Sequence, residues 1–295
     1  EKMIFQHETL GDKLFRLIRD VILLLFCVIV LYPVIYVISA SFSNPLFVMK
    51  NEVVLLPKGF TLIGYEKVFS NPDVWNSYKN TIVYTTVGTA LNVILTSTGA
   101  FALSRKDFKG RNFWTFYITF TMFFSGGIIP VYLLIKQLNL YDTFWVMILP
   151  GAISAWNMII MRTFFQSNVP MELQEAAIID GCNDLVIFLK IALPLSMPII
   201  AIMTLFYGVD HWNSFFGAML YLSDRDKFPL QLILREILLQ NISSGNVEGP
   251  AADQQIVGES IRYALIIVAT VPILLVYPFI QKYFVKGVLV GAIKG

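Results

Sequence analysis

The sequence predicts an all-α fold: one polytopic membrane domain of six spanning helices over residues 1–295. Three observations predict it. Of the 295 residues, 56% are hydrophobic and only 14% charged, against about 25% charged in an ordinary soluble domain. Six segments are long and apolar enough for a helix to cross the hydrocarbon core, which takes roughly 20 residues. The apolar runs lack the strict alternation of a transmembrane barrel, so their backbone groups must be satisfied inside helices.

The spans are placed at about 14–42, 80–103, 113–138, 143–165, 191–222 and 261–284. The first apolar run is long enough to span, so it predicts a membrane helix. An even number of spans puts both termini on one side. Arg105, Lys106, Lys109 and Arg111 crowd into the short loop after the second span. Basic residues in short loops mark the cytoplasmic side, so both termini are expected in the cytoplasm of a bacterial inner membrane. Residues 43–79 and 223–260 then lie outside, with 241–250 read as flexible loop.

Composition excludes other classes. A net charge of +2 offers no basic face for nucleic acid. Cys27 lies in an apolar run and Cys182 in a polar loop, and His7 and His211 are far apart, so no metal site or disulfide is expected. The chain contains no Gly-x-x-x-x-Gly-Lys-Ser/Thr loop for nucleotide phosphates and no Gly-x-Ser-x-Gly or His-Glu-x-x-His catalytic motif. No catalysis and no cofactor are expected in this chain.

The inner segment 168–181 carries the most information. Pro170 suits a helix start, Glu172 and Glu175 suit the positive end of the helix dipole, and Ala176 and Ala177 favour helix. Gly181 can end the helix in a left-handed conformation. The segment predicts a helix of about three turns, roughly 16 Å long, too short and too polar to span. A second helix is predicted from near Asn183 into the fifth span, kinked by Pro194 and Pro198.

Glu175-Ala176-Ala177, then Gly181, Ile191 and Leu193-Pro194 resemble the EAA loop of ABC-importer permeases. Pro170, Asp180, Phe188 and Pro198 match the sugar branch of that family. The resemblance to its MetI/MalG-like fold runs over nearly the whole chain, through Leu138-Asn139-Leu140, Ile148-Leu149-Pro150, Trp212-Asn213-Ser214-Phe215 and Gly291-Ala292-Ile293-Lys294-Gly295. Cys182, where Ala is usual, and Ile178-Ile179, where a basic residue often precedes the Ile-Asp pair, depart from the pattern.

That resemblance implies a coupling helix at 168–181, with Glu172, Glu175, Ala176, Ala177, Asp180 and Gly181 meeting a groove on an ATPase subunit. It implies several partners: a second homologous permease, a dimeric ABC ATPase that holds ATP and Mg, and an extracytoplasmic solute-binding protein docking over 43–79 and 223–260. The tail 285–295, with Gly291, Ala292, Ile293, Lys294 and Gly295, would touch the ATPases. The alternative is a basic terminus resting against anionic headgroups. Residues 121–130 and the tail are most similar to permeases importing oligosaccharides of complex or acidic polysaccharides, such as pectin fragments or alginate.

Polar residues within spans face a cavity or another helix. Thr85, Thr89, Asn92 and Thr96 form one stripe on the second span, readable as a substrate path or as interhelical bonding. Trp156 and Asn157 on the fourth span read the same two ways. Tyr207, Asp210, His211, Trp212 and Asn213 on the fifth combine aromatic faces with amide and carboxylate groups, as a sugar site needs, although Trp also anchors membrane interfaces. Three rivals stand against the importer reading, of which a structural membrane scaffold leaves the detailed loop 168–181 unexplained. An ion-driven secondary transporter would show inverted repeats and buried mid-membrane charge, and few charges besides Asp210 are found. An amino-acid or peptide permease is disfavoured by the resemblance of the tail and of the Trp212-Asn213 region.

Overall fold

The computed structural model describes residues 10–243 and 251–292, and these contain helices and no strands. The helices are, in order, α1 Leu10–Ser41, α2 Pro45–Met49, α3 Ile63–Ser70, α4 Pro72–Ser104, α5 Arg111–Phe123, α6 Ile128–Gln137, α7 Ala155–Asn168, α8 Met171–Ile179, α9 Asp184–Ile187, α10 Leu193–Leu195, α11 Met197–Asn213, α12 Phe216–Tyr221, α13 Leu230–Ser243 and α14 Ala251–Ala292. Among the described residues three helices are each long and apolar enough to cross a membrane, within Gly11–Ser41, Pro72–Ser104 and Gly258–Val276. Two bent pairs, α5 with α6 and 184–195 with α11, raise the number to five if each is one span.

Several predicted spans are not straight helices. The third, read as 113–138, breaks at Phe124–Gly127, where the axis turns by 115°. Gly127 there takes φ +83, a conformation open to glycine at no steric cost. In the fourth, read as 143–165, regular helix begins only at Ala155, because Pro150 lacks an N–H and a short 3-10 turn at Phe144–Met147 is all that precedes it. The fifth, read as 191–222, begins at Asp184, passes through a π-helical turn at Phe188–Ala192, bends by 84° around Ser196, and stops at Asn213. Pro194 and Pro198 flank that bend, as their missing donors require. The predicted outer segment 223–260 holds helix at both ends, including Asn241–Ser243 of the stretch read as loop. The backbone of the sixth span continues as helix to Ala292, through most of the stretch read as a tail.

The chain divides into two compact units. One contains α1, α2, α3 and the α14 backbone up to Ala269. In it, the segment after α1 folds back on the end of that helix. Ser39 Oγ donates to Leu55 O (2.6 Å), and Ser43 Oγ donates to Ser39 O and accepts from Lys58 N. Tyr65 OH donates to Ser41 Oγ (2.9 Å), and Tyr36 meets Tyr263 edge-to-face. Most of α1 is exposed apolar surface.

The other unit, built around α4, holds the main core. Phe101, Met158, Met161, Phe165, Ile187, Phe188, Ala192 and Met203 are buried together where α7 and the 184–213 segment pack on α4. Small residues permit the close approach: a Cβ on Gly88 would run into the His211 imidazole, and one on Gly99 into Met158 Cε at 2.7 Å. At the Pro72 end of α4, Asn76 and Asn80 donate to Asp226 O, and Tyr84 OH donates to Lys227 O. Arg225 there pairs with Asp73 (2.8 Å) and Glu236 (2.9 Å).

Candidate functional site

Helix α8 has two faces. Gln174 and Ala177, three residues apart, point into the unit's own core, where Ala177 joins Phe165, Val169 and Phe188. Gln174 Nε2 donates to Val169 O (3.4 Å). Glu172, Leu173, Glu175, Ala176, Ile179 and Asp180 remain exposed, and Ile179 keeps 86% of its surface. Helical periodicity makes this division. It corrects the expectation that Ala176 and Ala177 both face a partner: Ala177 is spent on holding α8 to the bundle. Ile179 and Leu173, absent from the predicted contact set, are large apolar side chains on the free face.

The end of α8 is built by backbone. Gly181 takes φ +81, Gly181 N donates to Ile178 O (3.0 Å), and Cys182 N donates to Ala177 O (2.9 Å). These are the two bonds of a Schellman cap. The chain then re-enters helix at Asp184, with Asn183 Oδ1 accepting from Val186 N. Helix α8 itself starts at Met171, one residue later than predicted, with Pro170 outside it, and its nine residues are shorter than expected.

Arg105 ties this hairpin to α4. The residue is 8% exposed, Nε donates to Asp107 Oδ1 (2.9 Å), and Nη1 stands 2.9 Å from Asp184 Oδ1 as an ion pair outside hydrogen-bond geometry. Its pKa is raised chiefly by the hydrogen bond with Asp107, and the same bond holds the Asp107 carboxyl below the usual range. The sequence offered Arg105 only as a sign of topology. An acid two residues on, Asp107, was the only sequence signal for its role as a clamp; its burial is seen only in the structure.

The mid-span candidates form a separate network. Asn92 Nδ2 donates to Gly151 O (2.7 Å), and Asn92 Oδ1 pairs with His211 Nε2 (2.7 Å). Thr96 Oγ1 bonds Tyr207 OH (2.7 Å), which also accepts from Ser154 N (3.2 Å). Asn92, Thr96, Tyr207 and His211 are therefore buried and occupied with one another and with the segment before α7. Of the two readings of the stripe, Asn92 and Thr96 follow interhelical bonding. Among the described residues, the buried hydroxyls of Thr85 and Thr89 have no hydrogen-bond partner. They line a largely apolar cleft of 590 Å³ with Thr204, Gly208 and Trp212.

The predicted cluster on the fifth span is split by the turn of the helix. Tyr207, His211 and Trp212 are buried, with Trp212 edge-on to Tyr78, whereas Asp210 and Asn213 are exposed. Asn157 is 8% exposed in the first turn of α7, and Trp156 beside it is 62% exposed. Gly291 and Ala292 close α14 in backbone only, and Ile293, Lys294 and Gly295 lie outside the described residues. Among the described residues no group of His, Cys, Asp and Glu could hold a metal.

Comparison with known proteins agrees over the whole length. The family described as binding-protein-dependent transport system inner membrane component matches residues 4–290. The polygalacturonan/rhamnogalacturonan transport system permease protein YtcP of Bacillus subtilis (strain 168) is 45% identical, with 96% of this chain and 99% of that protein aligned. Protein LplC of the same strain is 43% identical over 98% of both chains. Among solved structures, a chain of a bacterial ABC transporter involved in the import of the acidic polysaccharide alginate superposes with a TM-score of 0.85 at 35% identity, covering 95% of this chain and 99% of that one. With a family match from residue 4 to residue 290, relatives aligned end to end and an all-helical fold shared with one of them, this chain belongs to the inner-membrane permease components of binding-protein-dependent transport systems.

Proposed function

We propose that this chain is one permease subunit of an ABC importer for oligosaccharides, with acidic fragments of pectin or alginate type as the substrate class. The observation that carries the reading is α8, a short helix fastened to the bundle by Gln174 and Ala177 while Glu172, Glu175, Ala176, Ile179 and Asp180 stay free to meet another protein. A six-span arrangement with both termini cytoplasmic places α8 on the side where ATP is hydrolysed. The short basic loop Arg105, Lys106, Lys109 and Arg111 supports that orientation.

In this reading a dimeric ATPase, holding ATP and Mg, takes the free face of α8 and the tail Gly291–Gly295. A second homologous permease covers the exposed apolar surface of α1, and a solute-binding protein delivers the sugar from outside. This subunit performs no catalysis. ATP-driven closure of the ATPase pair moves α8, and Arg105 passes the motion to α4 through Asp184. The bundle then exchanges inward-facing and outward-facing states.

The test is purification in mild detergent with the co-purifying chains identified by mass, then reconstitution in vesicles with a labelled trimer of galacturonate. Recovery of a second permease, an ATPase and a binding protein, with ATP-dependent accumulation of the trimer, is the expected result. Reproducible isolation of the chain alone, with uptake independent of ATP, rejects the reading.

A further inference from the structure

The backbone between Ile148 and Ser154 is unwound beside the middle of α4, one of the helices long and apolar enough to cross a membrane. The apolar part of α4 begins near Ile82 and ends near Leu103, beyond the polar Lys79, Asn80 and Arg105 at its two ends. Asn92 lies midway along it, about 15 Å from either limit at 1.5 Å per residue. Asn92 Nδ2 bonds Gly151 O directly (2.7 Å), so the unwound segment meets the middle of that apolar stretch, which is mid-depth if α4 crosses the membrane. Irregular backbone at such depth occurs only where protein buries it or where it lines a polar cavity.

Protein buries only part of it. Asn92 and Tyr207 satisfy Gly151 O and Ser154 N. Among the described residues, no hydrogen bond reaches Gly151 N, Ile153 N, Pro150 O or Ala152 O. Leu149, Pro150, Gly151 and Ile153 are exposed, and a Cβ built on Gly151 meets nothing within 4 Å. Exposed indoles stand on both sides in sequence, Trp145 at 49% and Trp156 at 62%. The side-chain amide of Asn157, on a residue 8% exposed, makes no hydrogen bond among the described residues.

We infer that the unwound segment 148–154, between Trp145 and Trp156, is a sugar-contact station on the translocation path, and that Asn92 and Tyr207 are positioning residues holding it open. The inference rests on the importer reading above. Free amide N–H and C=O groups match the donor and acceptor hydroxyls of a sugar, and indole faces suit its apolar C–H surfaces. The few bonds on offer suit a passing substrate, which must enter and also leave. The helix packing that the mid-span network creates thereby gains a purpose: it satisfies the inward backbone groups of the break and leaves the outward ones for the substrate.

The test uses the complete transporter in vesicles, with Cys27→Ser and Cys182→Ala as background and Gly151→Cys as the probe. Labelling by a membrane-impermeant thiol reagent is timed with and without a trimer of galacturonate. Labelling is expected, and at a trimer concentration about ten times its Kd simple occupancy slows it about ten-fold. Equal rates with and without the trimer overturn the inference. So does an absence of labelling, which means that lipid or the second permease covers the segment. Ile153→Cys carries the same test if Gly151→Cys does not assemble. Failure of the unsubstituted transporter to import the trimer counts against the importer reading instead, and is scored separately.

Discussion

Replacing Gly181 tests whether the angle between α8 and the next helix transmits force. Gly181 holds φ +81, and space beyond its Cβ is open, so Gly181→Ala pays only the conformational cost of the left-handed region. That cost is about 1–2 kcal/mol, a factor of roughly 5–30 in an equilibrium. Gly181→Pro does more, because proline fixes φ near −65° and deletes the N–H that bonds Ile178 O. Gly181→Asn costs least among the non-glycine residues, since asparagine tolerates the left-handed region. The assay is ATP-driven sugar accumulation in vesicles, scored beside ATP hydrolysis and the amount of assembled complex. The expected order of uptake is wild type, Asn, Ala, Pro, with Ala reduced several-fold and Pro abolished. ATP hydrolysis should lose its response to the binding protein in the same order. Full uptake by Gly181→Pro in normally assembled complex would refute the coupling argument.

Two further substitutions address the core and the clamp. Asn92→Ala leaves Gly151 O and His211 without their shared partner in a buried site, which should cost about 1–3 kcal/mol, read as a lower melting temperature in detergent; Asn92→Asp should not restore it, because it cannot donate to Gly151 O. Asp107→Asn tests the clamp through pH. The carboxyl is held below its ordinary pKa by Arg105, so its stabilisation is fully present above the unfolded value and is lost as pH falls through the depressed folded one. Wild type should therefore melt higher than Asp107→Asn at neutral pH by a small margin, since Asp107 is 54% exposed, and the two should converge only below the ordinary aspartate range. A difference that persists there would assign the effect to something other than the charge.

Sequence pattern carried far in some places and failed in others for identifiable reasons. The apolar run of α1 and the turn at Gly181 are set by local chemistry, and both stand in the structure where the residues imply them. Breaks inside apolar segments were harder to read. Residues 113–138 look continuous by hydrophobicity, yet Gly126 and Gly127 allow a 115° turn that composition cannot weigh against helix. The roles of polar residues were least legible. Asn92 and His211 are separated by 119 positions, and nothing in either neighbourhood says that they meet. Arg105 looked like one more basic residue in a cytoplasmic loop until burial set it between Asp107 and Asp184.

By itself, then, the sequence determined that this chain lives in lipid, that its elements are helices, and that a short polar helix with a glycine stop interrupts them. These follow from transfer free energy and backbone sterics, which act residue by residue. Tertiary structure alone decided which side of α8 is free, which polar groups are consumed by the fold, and where the unwound segment before α7 leaves its amides open. Those depend on what packs against each face, and packing is a property of residues far apart in the chain.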